Sequence, residues 1–239
     1  MLRKYISKII INSLLIHNAV VLFYVHPDHF DLSCGAVLVY KEPSRAKDFA
    51  LISAIKKERA TKLGYNEAFQ LKRSALSVAK VEGDYAEVGA FNGGSTKIIC
   101  ESKGTKALHV FDTFEGLPDT DNNDSEWFEK GQYSCSLESV KAYLSEYNNV
   151  HYYKGLFPNT SAPVEDKRFA FVSLDVDLYS STLDSLRFFY PRMSIGGIIM
   201  SHDYVSADGV RQAFDTFFQD KPEPIIELSG SQCLIVKTA

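Results

Sequence analysis

The chain has 239 residues, of which 45% are hydrophobic and 23% charged, enough to bury one sizeable core and to exclude a disordered chain. A formal net charge of −4 supplies no basic footprint for phosphate backbones and excludes duplex nucleic acid as the expected partner. Cys34, Cys100, Cys135 and Cys233 lie far apart without a CxxC pair, which argues against a zinc site or a dense disulfide framework and favours a reducing, cytoplasmic setting.

At the N-terminus, Arg3, Lys4 and Lys8 precede an apolar stretch from Ile9 to Val25, interrupted by Asn12, Ser13, His17 and Asn18. Two readings stand: membrane association through residues 9–25, or an added helix packed on the domain or in a homodimer interface. The second is preferred, because polar groups at mid-membrane are costly. Residues 1–55 are therefore expected to be an N-terminal extension and residues 56–239 the main domain.

From Lys56 to Ala79, helix-forming residues with apolar positions at helical spacing predict one helix ending before Gly83. Short β-rich runs follow at Tyr85–Val88, Ala107–Phe111, Val150–Tyr153, Phe169–Leu174 and Gly197–Ser201. They alternate with expected helices at Ser95–Glu101, Leu137–Tyr147, Ser181–Phe189 and Val210–Phe218. Alternation of this kind means βαβ units and a parallel sheet covered on both faces. Ile225–Leu228 and Cys233–Lys237, joined by Ser229-Gly230-Ser231, read as a closing antiparallel hairpin. The expected class is α/β, with a mostly parallel seven-stranded sheet and helices on both faces; its closing C-terminal hairpin makes it resemble the Rossmann-like sandwich of class I methyltransferases rather than an ordinary dinucleotide-binding domain.

The strongest local signal is GDYAEVGAFNGGSTKII, Gly83–Ile99, with the pattern ExGxxxGG rather than GxGxxG. A strand, a turn at Gly89, Gly93 and Gly94, and a helix opening near Ser95 together form a turn that can approach a ligand and aim helix amides at it. Glu87 suits a sulfonium amino acid better than a pyrophosphate. Asp112 follows Gly89 by 23 residues, the separation at which a carboxylate caps ribose hydroxyls in such folds. A plain βα turn with a surface aspartate is the bland alternative.

LDVDLY and SHDY end the fourth and fifth expected strands, so Asp175, Asp177, His202 and Asp203 reach the carboxyl edge of the sheet, where open α/β sheets place their ligands. Hard oxygen donors from adjacent strand ends suit Mg²⁺. A hydroxyl attacking a methyl sulfonium must lose its proton and aim its oxygen in line, and a divalent ion supplies polarisation and a template. Asp175 is the expected ligand and general base, with Asp177 orienting it or the substrate. The alternative is that DVD caps a strand and a helix.

ExGxxxGGS, DTFEGLPD, KGLFP, LDVDLYSSTL, YPRMSIGGIIMSHDY and GVRQAFDTFF occur here in order, and together they resemble the macrocin O-methyltransferase (TylF-like) family from about Thr61 to the C-terminus. The resemblance implies S-adenosylmethionine as cofactor. It implies that Glu87, Gly89, Gly93 and Ser95 surround the methionine part, Asp112 with Thr113 lies at the ribose, and Gly155 with Leu156 lies near adenine. It further implies a metal held by Asp175 and by the following acidic pair, Mg²⁺ or Mn²⁺, which in this chain reads His202-Asp203. That departure leaves His202 either a ligand or a donor to bound water, and makes Mn²⁺ or another borderline metal more acceptable.

The expected partner is a small hydroxylated acceptor, such as a sugar, glycoside or natural product. A non-catalytic cofactor-binding module is the competing reading, and an NAD-dependent oxidoreductase lacks its glycine turn and catalytic set. Asp119–Ser134, too polar for a core element, reads either as a lid carrying Trp127 and Phe128 or as a solvated loop. His26, His29, His109 and His151 read as ordinary histidines.

Overall fold

The computed structural model describes residues 43–239. Residues 9–25, with the anchor and interface alternatives, lie outside the described residues, as do His26 and His29. Among the described residues no helix is long and apolar enough to cross a membrane.

Seven strands form one sheet: β1 (Asp84–Val88), β2 (Leu108–Asp112), β3 (Val150–Lys154), β4 (Phe169–Leu174), β5 (Met193–Ser201), β6 (Ile226–Glu227) and β7 (Cys233–Val236). Their order is β3-β2-β1-β4-β5-β7-β6. All pairs through β5 are parallel, and β7 runs antiparallel to both β5 and β6. The six residues of β4, FAFVSL, are all buried, the pattern of a central parallel strand covered on both faces. β3 is half-exposed at one edge.

Two core layers enclose the sheet. On one face Val88, Phe111, Val172, Leu174 and Ile199 pack against Leu186 and Phe189 of α5 (Tyr179–Phe189) and Phe214 and Phe218 of α6 (Asp208–Phe218). On the other, Tyr85, Val110, Phe171 and Met200 meet α1 (Pro43–Glu58), α2 (Tyr65–Ser77) and α3 (Gly94–Cys100). A short α4 (Leu137–Tyr143) is capped by Ser136, whose hydroxyl accepts from the Ser139 amide at 3.0 Å.

Helix α1 straddles residue 55, and its Phe49, Ile52 and Ile55, three apart on one helical stripe, are buried in the core. The single helix expected over Lys56–Ala79 is corrected to two, because the chain leaves the helix after Glu58 and re-enters at Tyr65. Gly64 takes an extended conformation there, and the Glu67 carboxylate accepts its amide at 2.8 Å, so the first turn of α2 is closed from within. Alanine-rich and charged helix formers on both sides of the break hid it from periodicity.

Candidate active site

The chain crosses the sheet between β1 and β4, since β1 to β3 build outward on one side and β4 and β5 on the other. Crevices at such a switch point receive ligands. Beyond the strand ends the ladder continues by one bond each. Gly89 N–H donates to Phe111, Gly155 N–H to Asp112, Asp175 N–H to Val88 and His202 N–H to Leu174, all at 2.9 Å. These four bonds line up both halves of the site along one edge, around a cavity of about 320 Å³, a size suited to a small-molecule ligand.

One wall consists of Gly89, Ala90, Gly94, Ser95, Asp112, Thr113 and Gly155. Gly89 has φ +90, and a Cβ there would lie 1.8 Å from the Asp175 carbonyl oxygen. The close approach that demands glycine is thus between two strand ends of the protein itself. Gly93, at φ +79, does not line the cavity; its missing side chain admits Val140 of α4. Asp112 accepts from the amides of Ala90 and Phe91 through Oδ2, at 2.7 and 2.9 Å, and from Phe114 through Oδ1 at 2.6 Å. Its carboxylate therefore ties the glycine turn to the loop after β2. Thr113 donates to the Gly116 carbonyl at 2.7 Å and shapes that loop.

Glu87 is fully buried behind the turn and is not a cavity residue. Thr96 donates to its Oε2, while Oε1 has no partner. Burial pushes its carboxyl up to about 8, against the pull of the nearby Ser95 and Thr96 hydroxyls.

The opposite wall carries Asp175, Asp177, His202 and Asp203. Asp177 and Asp203 sit at φ +63 and +58, the left-handed region that aspartate tolerates better than most residues. His202 Nδ1 lies 2.8 Å from Asp203 Oδ2 and 3.2 Å from Asp175 Oδ1, and Nε2 lies 3.4 Å from Glu67 Oε2. Burial alone would lower the affinity of this imidazole for a proton. The charge of Asp175 and the carboxylates of Asp203 and Glu67 outweigh it and hold His202 well above its ordinary value. Burial and the charges of Asp175 and Asp203 push Asp177 well up.

Ligand atoms of Asp175, His202 and Asp203 lie within 4.8 Å of one another. Two carboxylates and one imidazole opening onto a cavity are a donor set that fits a divalent ion with positions left for water or substrate.

The mouth includes residues that the sequence reading passed over. Ala60, Thr61 and Lys62, from the break between α1 and α2, line it with Phe91 and Tyr133. The Phe91 and Tyr133 rings meet edge to face at 5.8 Å, and the Lys62 ammonium lies 5.2 Å from the Tyr133 ring centre. Trp127 lines the cavity at 60% exposure, while Phe128 is buried. The loop that carries them is anchored at several points. Asp124 accepts from the Tyr179 amide at 2.7 Å, Ser125 Oγ from the Asp208 amide at 3.2 Å, and Asp121 from Ser180 Oγ at 3.1 Å. Its base is closed by Leu117 N–H to Gln132 at 2.8 Å and Gly131 N–H to Leu117 at 2.9 Å.

The model of the macrocin-O-methyltransferase (TylF) family matches residues 59–231. The chain belongs to that family. It is 31% identical over 170 residues to the 8-demethyl-8-(2,3-dimethoxy-alpha-L-rhamnosyl)-tetracenomycin-C 4'-O-methyltransferase of Streptomyces olivaceus, covering 63% of this chain and 64% of that protein. It is 24% identical over 211 residues to the demethyldecarbamoylnovobiocin O-methyltransferase of Streptomyces niveus, covering 75% of this chain and 80% of the relative. The first match thus spans just under two thirds of its relative. The structure of the O-methyltransferase NovP superposes with a TM-score of 0.64 at 23% identity, over 75% of this chain and 82% of NovP. With the strand order above, this shows a class I methyltransferase fold.

Within the TylF fold of this chain, Gly89, Ser95, Asp112, Thr113, Gly155, Asp175, Asp177, His202 and Asp203 surround one cavity. Glu87 and Gly93 stand behind it. Glu67, unnoticed in the sequence, touches His202; its only trace there is the Gly64-x-x-Glu67 spacing of a helix start.

Proposed function

We propose that the chain is an S-adenosylmethionine-dependent, divalent-metal-assisted O-methyltransferase acting on a hydroxyl of a sugar or glycosylated small molecule. The observation that carries the reading is that one cavity joins the Gly89–Asp112–Gly155 wall to the Asp175–Asp177–His202–Asp203 wall. The named activities of the two Streptomyces relatives support a glycosylated natural product as acceptor.

In this reading Asp112 and the amides opening α3 hold the nucleoside and amino-acid ends of the cofactor. The acceptor enters past Trp127 and Tyr133. Asp175, His202 and Asp203 would hold the ion, which supplies charge to favour the alkoxide form of the hydroxyl. The cofactor would supply the methyl group, and the hydroxyl proton would pass to a carboxylate of the DVD pair. Asp175, one of the groups that would hold the ion, is the acceptor of that proton, and Asp177 orients it or the substrate. The buried rings of Phe111, Phe128 and Phe157 on the cavity wall exclude water.

Calorimetric titration with S-adenosylhomocysteine, with and without Mg²⁺ or Mn²⁺, tests the reading beside Asp112→Ala. Binding by the wild type and its loss in the variant are expected, followed by methyl transfer to a glycoside. Binding without transfer to any hydroxylated acceptor would favour the non-catalytic module. No binding at all would overturn the cofactor assignment.

A further inference from the structure

Glu67 belongs to α2, far in sequence from both strand-end motifs, yet it is 6% exposed and lies directly behind His202. Its own position is over-determined. Oε1 accepts from the Ser231 amide at 2.9 Å and the Ser231 hydroxyl at 2.8 Å, and Oε2 accepts from the Gly64 amide at 2.8 Å. Even the neighbouring glycine is shaped to it, since a Cβ on Gly230 would come within 2.7 Å of Oε1. A carboxylate fixed by three donors is not a mobile counter-ion. It is a rigid post, and the imidazole leans on it at 3.4 Å through Nε2.

We infer that Glu67 is a positioning residue for a metal site: it keeps the His202 proton on Nε2 and turns Nδ1 into the gap between Asp175 and Asp203. The inference rests on the metal-assisted reading above. A carboxylate can only accept, so each ring nitrogen facing one carries hydrogen, Nε2 toward Glu67 and Nδ1 toward the aspartates; an ion held between Asp175 and Asp203 would replace the proton on Nδ1 and leave the one on Nε2. Nδ1 is the atom placed 2.8 and 3.2 Å from the two aspartates. Carboxylate–histidine–metal chains of this form fix the tautomer and raise the basicity of the ligand. The chain also accounts for the histidine where the family resemblance implies a second acid. A neutral imidazole removes one negative charge from the donor set, and Glu67 restores it from behind. With one nitrogen donor, the site selects a first-row ion such as Mn²⁺ over Mg²⁺.

The test measures Mn²⁺ binding by the electron paramagnetic signal of free Mn²⁺, with S-adenosylhomocysteine affinity measured on the same samples. Glu67→Gln is expected to weaken Mn²⁺ by about 10–100-fold while the nucleoside still binds. The same change made on His202→Asp should not weaken Mn²⁺, because there Glu67 only repels a third acid. An equal loss in both backgrounds would mark a general structural role and overturn the inference, as would unchanged affinity in the single variant. Failure of the wild type to bind Mn²⁺ while it binds S-adenosylhomocysteine would instead overturn the metal reading beneath it. Should Glu67→Gln not fold, ¹⁵N-histidine spectra of the wild type with diamagnetic Zn²⁺ decide the matter. Coordination through Nδ1 with the proton on Nε2 is expected, and coordination through Nε2 would overturn it.

Discussion

Asp112 has a structural task of its own, for its three amide partners join the Gly89 turn to the loop after β2. Hydrogen bonds to a charged group contribute about 1.5–3 kcal/mol each and are not additive, so Asp112→Ala should cost about 2–4 kcal/mol in denaturant unfolding. The accompanying loss of S-adenosylhomocysteine affinity should exceed tenfold, and an unchanged unfolding midpoint would refute the tie. Glu87 leads to a different expectation. Its carboxyl is raised from 4.5 to about 8 by burial. Between those values the unfolded chain releases a proton that the folded chain keeps, so this group lowers stability as pH rises through that window and no further above it. Thermal melts from pH 5 to 9 should show the decline in the wild type and a flatter profile in Glu87→Gln. Parallel profiles would return the buried carboxyl to its ordinary range. Both residues were legible as important from ExGxxxGG and its downstream acid, but burial divides their roles, and a motif does not record which way a side chain turns.

Among the elements, the strands were legible to within a residue or two, except that β5 begins earlier than Gly197, because hydrophobic runs flanked by glycine leave little freedom. The break between α1 and α2 was not, since Arg59 to Gly64 contains one glycine and no proline, and its cause is the distant packing of Glu67. The acidic segment Asp119–Ser134 was ambiguous for a related reason. Two of its polar residues, Asp124 and Ser125, accept from the amides at the starts of α5 and α6, while most of the others face solvent. Asp124→Ala should therefore free the Tyr179 amide at a cost of about 1 kcal/mol and speed hydrogen exchange across residues 119–134. KM for the acceptor is expected to rise more than kcat falls. Unaltered exchange in the loop would show that Asp124 does not hold it. Gly89→Ala is a sharper case, with a Cβ 1.8 Å from a carbonyl oxygen, and it should yield no folded, cofactor-binding protein at 37 °C.

At the scale of the molecule, a second fixed acid closes the C-terminal end. Glu223, 2% exposed, accepts from Tyr190 at 2.6 Å, Lys237 at 3.2 Å and the Thr238 amide at 2.9 Å. Burial pushes its carboxyl up, but those three donors prevail and hold it at about 2, against an ordinary 4.5. Its contribution is present above about pH 4.5 and lost as pH falls toward 2. Glu223→Gln should be less stable at pH 7 and approach the wild type near pH 2, as urea midpoints would show; a constant gap across that range would contradict it. Nothing in the sequence announced this clasp, which joins residues from three separate segments. The left-handed backbone at Asp177 and Asp203 has a consequence of another kind. Both positions suit glycine, and Asp177 is besides a buried acid crowded by two others. Asp177→Gly should therefore relieve about 1 kcal/mol of conformational cost and raise the melting temperature by about 2–4 °C, while abolishing methyl transfer. Thermal resilience and turnover pull against each other at this residue, so a selection for heat tolerance alone would tend to erase the chemistry first.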